Sequence, residues 1–123
     1  MKPKGKRTFF DSVKDCLNGI NYTIHHEKNF IREAVIGIIA LIAGVILKIS
    51  LIEWIVVLLL ICLVLVLEMI NTAFENTIDL ITDKYHDLAK AVKDIAAGSV
   101  LIVSFFAGII GMLIFIPKII ALL

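Results

Sequence analysis

Four side chains suited to acid, base or cation chemistry, Glu68, Asn71, Glu75 and Asp79, recur at steps of three and four along an otherwise apolar stretch. At roughly 100° per residue they fall within one stripe of about 80° on a helix. The stretch that carries them, 54–81, is long enough to cross a bilayer. A carboxylate at membrane depth is costly, so a chain that sets two of them on one helical face must pair them, protonate them or use them. Hard-cation chemistry fits the residue types. A magnesium ion needs only one or two carboxylates beside water and phosphate oxygens, which Glu75 and a second acid such as Glu27 would supply. Phosphoryl transfer asks chiefly for positioning, charge neutralisation and a base for the attacking hydroxyl, and Glu68 lies deeper, where a lipid alcohol would arrive. GxxxxGKS, GxxxxGKT and GxGxxG are all absent, so no glycine loop cradles a phosphate.

The elements that position these residues follow from composition and length. Of 123 residues 60% are hydrophobic and 19% charged, and the mean hydropathy is +1.01. That is more apolar surface than one small soluble core can hide, so 1–123 reads as a single all-α integral membrane domain. A segment over 8–26 sets Phe9, Val13, Cys16, Leu17, Ile20 and Ile24 on one face, opposite Asp11, Lys14, Asp15, Asn18 and His25, as in an amphipathic surface helix. Were that helix unbroken, Glu27 would rotate back onto the apolar face. Either the chain bends near His25 and His26, or Glu27 turns toward other protein groups.

Three spans follow. The first is 33–52, with Lys48 snorkelling to the interface; the second is 54–81, opened by the interfacial Trp54 and carrying a cytoplasmic extension; a polar connection, 82–94, leads to the third, 95–117, ended by Pro117 and Lys118. Seven basic residues precede the first span (Lys2, Lys4, Lys6, Arg7, Lys14, Lys28, Arg32) and three lie in 82–94, against Lys48 and Lys118 on the other side. The N-terminus and the long connection are therefore expected in the cytoplasm and the C-terminus outside. No apolar segment with a small-residue cleavage site follows MKPKGKR, so no signal peptide is expected. Cys16 and Cys62 form neither a disulfide framework nor a metal motif.

Other roles for these residues stand beside the chemical ones. Asn71 also suits interhelical hydrogen bonding, and Glu75 with Asp79 a solvated helix end. Lys93 and Asp94 also suit a helix start, Asp94 capping Ile95 onward and Lys93 meeting lipid phosphate. His25, His26 and His86 read as surface histidines, and the small residues Gly37, Ala40, Ala43, Gly44, Gly98, Gly108 and Gly111 let helices approach closely.

Glu68-Met69-Ile70-Asn71-Thr72-Ala73-Phe74-Glu75-Asn76-Thr77-Ile78-Asp79, then His86 and Ala89-Lys90-Ala91-Val92-Lys93-Asp94-Ile95-Ala96-Ala97-Gly98, resembles the signature of the prokaryotic diacylglycerol kinase family. Glu27, Phe30 and Glu33 stand where that family carries a polar element before its first membrane helix. Ile52-Glu53-Trp54, Asp79-Leu80-Ile81-Thr82-Asp83-Lys84 and Phe115-Ile116-Pro117-Lys118 resemble its Gram-positive undecaprenol kinase branch. The resemblance implies a homotrimeric bundle in the bacterial cytoplasmic membrane, with active sites shared between subunits. It implies transfer of the γ-phosphate of MgATP to a lipid alcohol, with undecaprenol preferred and diacylglycerol secondary, and no nucleic-acid partner. Carried over by position, it implies Glu68 as general base at the lipid hydroxyl, with Asn71 and Lys93 as further catalytic groups. Glu27 and Glu75 would hold Mg2+. Tyr85, His86, Lys93 and Asp94 would meet the nucleotide, and Phe30 and Ala97 the lipid. The arginine and aromatic residue often found in the family's N-terminal helix have counterparts here only in Arg7 and Tyr22.

Two other classes use parts of the same pattern. A small proton-coupled transporter can employ an intramembrane glutamate, yet has little use for Lys93-Asp94 beside further acids at the cytoplasmic face. A purely structural membrane peptide needs no polar stripe.

Overall fold

A computed structural model describes residues 5–123; Lys2 and Lys4, counted in the charge asymmetry, lie outside the described residues. The chain forms four helices, α1 (Phe9–His26), α2 (Lys28–Ile46), α3 (Leu51–Ile81) and α4 (Asp87–Leu122). The last three are long and apolar enough to cross a membrane. Thr8 opens α1 with a capping box, its hydroxyl accepting from the Asp11 amide at 3.3 Å while Asp11 accepts from the Thr8 amide at 3.0 Å. The helix stops at Glu27, whose backbone is extended (φ −126°, ψ 105°) and whose side chain accepts from the Asn29 amide at 3.2 Å, capping α2. Of the two ways to accommodate Glu27, the chain therefore takes the bend, and takes it at Glu27 itself.

The expected first span, 33–52, crosses a turn. After Leu47, Lys48 adopts a left-handed backbone (φ 52°), and the Ile49 amide folds back onto the Gly44 carbonyl at 3.2 Å. Ser50 and Glu53 then form a second capping box, at 3.2 and 3.0 Å, that starts α3. At 31 residues α3 is about 46 Å long, well beyond a hydrocarbon core of roughly 30 Å, so its polar C-terminal turns project past the apolar part.

Two further expectations change. The connection 82–94 is in fact a short turn at 82–86, because the His86 ring nitrogen Nδ1 accepts from the Leu88 amide at 3.1 Å and starts α4 at Asp87. Asp94 thus caps nothing; it pairs with Lys90 one helical turn earlier. Nor does Pro117 end the third long helix, which runs to Leu122. Proline forfeits one amide donor there, but Lys118 pairs with Glu53 at 3.0 Å and Phe115 packs on the core formed by Ile49, Val57 and Ile114. That core lies far from the polar stripe. Elsewhere most large apolar side chains point outward, as a lipid-facing bundle requires.

Gly44 is the tightest approach in the fold: a Cβ there would sit 2.8 Å from Trp54 Cη2 and 3.1 Å from Ile49 Cδ1. Gly44→Val is expected to destabilise the α2–α3 hairpin by about 1–3 kcal/mol. Gly19→Ala, with nothing within 4 Å of the new methyl, should be neutral or stabilise α1. Detergent unfolding followed by circular dichroism checks both.

Candidate active site

Because α3 is unbroken to Ile81, Glu68, Asn71, Glu75 and Asp79 do share one face, and their burial falls steadily along it. Glu68 is 3% exposed and Asn71 6%, Glu75 is half-buried, and Asp79 is largely exposed. The sequence thus grades one helical face from dry to wet in three turns. Asn71 Nδ2 donates to Glu75 Oε1 at 3.2 Å, which fixes the amide and leaves its buried Oδ1 without a protein partner. Glu68 Oε2 is likewise buried, and neither of these atoms has a partner among the described residues. Thr72, also buried, is satisfied inside its own helix, donating to the Glu68 carbonyl at 3.0 Å.

The acids gather from three elements. Glu27, Glu33 and Glu75 are all near enough to act electrostatically on Glu68, so the α1–α2 joint, the first turns of α2 and the middle of α3 converge there. Phe30, between Glu27 and Glu33 in sequence on the first turn of α2, is buried at 7%. Among the described residues no group of three or more His, Cys, Asp and Glu assembles a metal site by itself. The donor set nonetheless fits a magnesium ion, which takes only one or two carboxylates and completes its shell with water and phosphate. Glu27 and Glu75 each have one oxygen engaged, by the Asn29 amide and by Asn71, and one with no protein partner among the described residues.

A second group forms around the α3–α4 turn. Asp79, Thr82, Tyr85, His86, Lys93 and Asp94 line a cavity of about 350 Å3. Lys93 reaches across from α4 to Asp79 at 2.7 Å, tying the wet end of the stripe to the second cluster. The Tyr85 phenol is exposed and held above its ordinary pKa, chiefly by its hydrogen bond to Asp87 with a further contribution from Asp94, so it stays a neutral donor. Lys93 makes no hydrogen bond or ion pair with Glu68 or Glu75 among the described residues, so the chain by itself keeps the two groups apart along α3. Ala97 is exposed and lines neither this cavity nor the groove described next.

An apolar groove of about 610 Å3 runs between α2, α3 and α4, with Glu33 at one end, Val64 one turn below Glu68, and Phe115 at the other end. The sequence pattern did not single out Glu33 for a role at the site, nor Ser104, whose buried hydroxyl lines this groove without a partner. Ser104 is the one polar side chain between Val100 and Ile116, and that isolation is a signal the sequence does carry.

The family model described as Prokaryotic diacylglycerol kinase matches residues 14–115. The undecaprenol kinase of Bacillus subtilis is 47% identical over 110 residues, 89% of this chain and 89% of that protein. The diacylglycerol kinase of Synechocystis sp. is 36% identical over 113 residues, 91% of this chain and 65% of that protein. That of Haemophilus influenzae is 30% identical over 109 residues, 89% of this chain and 92% of that protein.

A buried carboxyl group with an unpaired oxygen is a poor folding element, so Glu68→Leu is expected to be at least as stable as the parent chain. Denaturation in mixed micelles measures this, and a loss above about 2 kcal/mol would make Glu68 part of the scaffold instead.

Proposed function

The chain belongs to the prokaryotic diacylglycerol kinase family, and on that footing we propose that it transfers the γ-phosphate of ATP to a membrane lipid alcohol, undecaprenol first and diacylglycerol second. The observation that carries the reading is Glu68: a carboxyl group on an apolar helix, 3% exposed, with one oxygen unpaired, one turn from a fixed Asn71–Glu75 pair. A structural peptide has no use for that group, and a transporter none for the Lys93–Asp79 bridge and the adjoining polar cavity.

In this reading the lipid chain lies along the α2–α3–α4 groove and its hydroxyl meets Glu68, one turn above Val64; Phe30 and Ala97 lie outside the groove lining, so any contact they make with the lipid is made beyond it. The hydroxyl proton passes to Glu68 Oε2 as the lipid oxygen bonds to the γ-phosphorus; the bond from that phosphorus to the β-bridging oxygen breaks and ADP leaves. Asn71 keeps the Glu75 carboxylate oriented. Glu27 and Glu75 would hold Mg2+, which supplies charge neutralisation on the phosphates. An ammonium has three donors, so Lys93 can keep Asp79 while it contacts a phosphate. Tyr85, His86 and Asp94 complete the nucleotide side of the cavity.

The charge asymmetry supports a bacterial cytoplasmic membrane location with the nucleotide cavity inside, the N-terminus cytoplasmic and the C-terminus outside. The apolar moment of α1, with Phe9, Phe10 and Leu17 exposed, supports its lying on the inner leaflet. Three helices leave the acid cluster and the nucleotide cavity unjoined and much apolar surface uncovered, which supports a homotrimer whose neighbouring subunits complete each site.

Radiolabelled γ-phosphate transfer from MgATP by purified protein, with both lipids in the same mixed micelles, is expected to label undecaprenol predominantly. Label mainly on diacylglycerol would move the acceptor, and no label with the protein folded would end the kinase reading. Within that assay Glu68→Gln should lower kcat by roughly 10²- to 10⁴-fold while MgATP binding stays within a small factor. Glu75→Gln should weaken metal-nucleotide binding as well. Equal losses of nucleotide affinity in the two variants would contradict this division of roles.

A further inference from the structure

Glu27 and Glu75 sit on different elements, the first at the α1–α2 joint and the second on α3. Glu27 is a single extended residue between α1 and α2, with an α-helical hydrogen bond from its own amide to Thr23 behind it and its carboxylate on the Asn29 amide ahead. Rotation about that one residue would swing α1 relative to α2 and α3 and strain the bond that holds the Glu27 carboxylate on the Asn29 amide. Among the described residues, the side-chain hydrogen bond that opposes such a swing by joining α1 to α3 spans 54 residues of sequence: Asn76 Nδ2 donates to the Tyr22 hydroxyl at 3.2 Å.

Both ends of this contact adjoin the proposed metal ligands. Asn76 follows Glu75 on α3. Tyr22 stacks on His26, with ring centroids 3.9 Å apart and planes at 12°, and the His26 ring is tied back to the Tyr22 carbonyl at 2.9 Å. His26 is the last residue of α1 and precedes Glu27. Thr23, buried at 4% and bonded to the Gly19 carbonyl, seats the same turn of α1. A chain of contacts therefore runs from Glu75 through Asn76, Tyr22 and His26 to Glu27.

We infer that the Tyr22–Asn76 hydrogen bond is a positioning device that fixes the separation of the Glu27 and Glu75 carboxylates by pinning α1 to α3. The inference rests on the proposed roles of those two acids. Tyr22 and Asn76 are positioning residues, acting through the two acids they adjoin. The bond is on an exposed surface, so its worth is that of one neutral hydrogen bond, and losing it weakens metal binding by roughly threefold to tenfold.

The test uses binding of Mn2+ with a non-hydrolysable ATP analogue, read from the free-ion electron paramagnetic resonance signal, beside steady-state transfer assays. Tyr22→Phe keeps the stack on His26 and removes only the hydroxyl; Asn76→Ala removes the donor. Each is expected to raise the Mn2+ dissociation constant and the Mg2+ concentration for half-maximal rate by roughly threefold to tenfold, with kcat at saturating metal within about twofold and the lipid KM unchanged. The double variant should be no worse than either single one, since both break the same bond. Unchanged metal binding in both single variants, additive losses in the double variant, or an equal rise in lipid KM would overturn the inference. Glu27→Gln and Glu75→Gln in the same experiment separate its failure from that of the reading beneath it: if those two leave Mn2+ binding intact, the ligand assignment itself is wrong.

Discussion

The energetic cost of holding a carboxyl group away from water, on one face of an apolar helix, is the constraint around which the rest of this fold is arranged. Among the described residues Glu68 has no cationic partner, and one of its oxygens has no hydrogen bond. The surroundings compound the cost, since Glu27, Glu33 and Glu75 bring like charge toward it. A cluster of acids is held in such a place only where protons or positive charge offset their mutual repulsion.

Depth then sorts the chemistry. Along α3 the same helical face passes from the dry carboxyl of Glu68, through the Asn71–Glu75 pair, to the water-exposed Asp79–Lys93 bridge. A lipid hydroxyl and a nucleotide arrive from opposite phases, so a site that joins them has to span the interface, and a single long helix projecting beyond the apolar core is a direct way to build one. The α3–α4 turn contributes because the His86 cap lets α4 start early, which carries Lys93 and Asp94 on a rigid helix and not on a loop.

The joint at Glu27 shows how a membrane fold brings an acid to its polar cluster from outside its spans. One residue ends one helix, caps the next and offers a carboxylate to the acid cluster, while α1 is held by a stacked Tyr22–His26 pair and its bond to Asn76. Precision at such a joint comes from side-chain contacts, because a single extended residue imposes little restraint of its own.

How much of this was legible in the chain depends on the range of the interaction. The stripe at 68, 71, 75 and 79, the apolar spans and the amphipathic α1 are periodic features of contiguous sequence, and a helix converts such periodicity into a face with no tertiary help. Capping decided the boundaries, and here the sequence reading was misled. A turn at Lys48, a cap at His86 and a tolerated Pro117 each depend on local hydrogen bonds or distant packing that composition does not display. The convergence of Glu27 and Glu33 on Glu68, the Lys93–Asp79 bridge, the unpaired hydroxyl of Ser104 and the Tyr22–Asn76 contact join residues far apart in the chain. Periodicity says which way a side chain faces, but only the packing of one helix on another says what it meets.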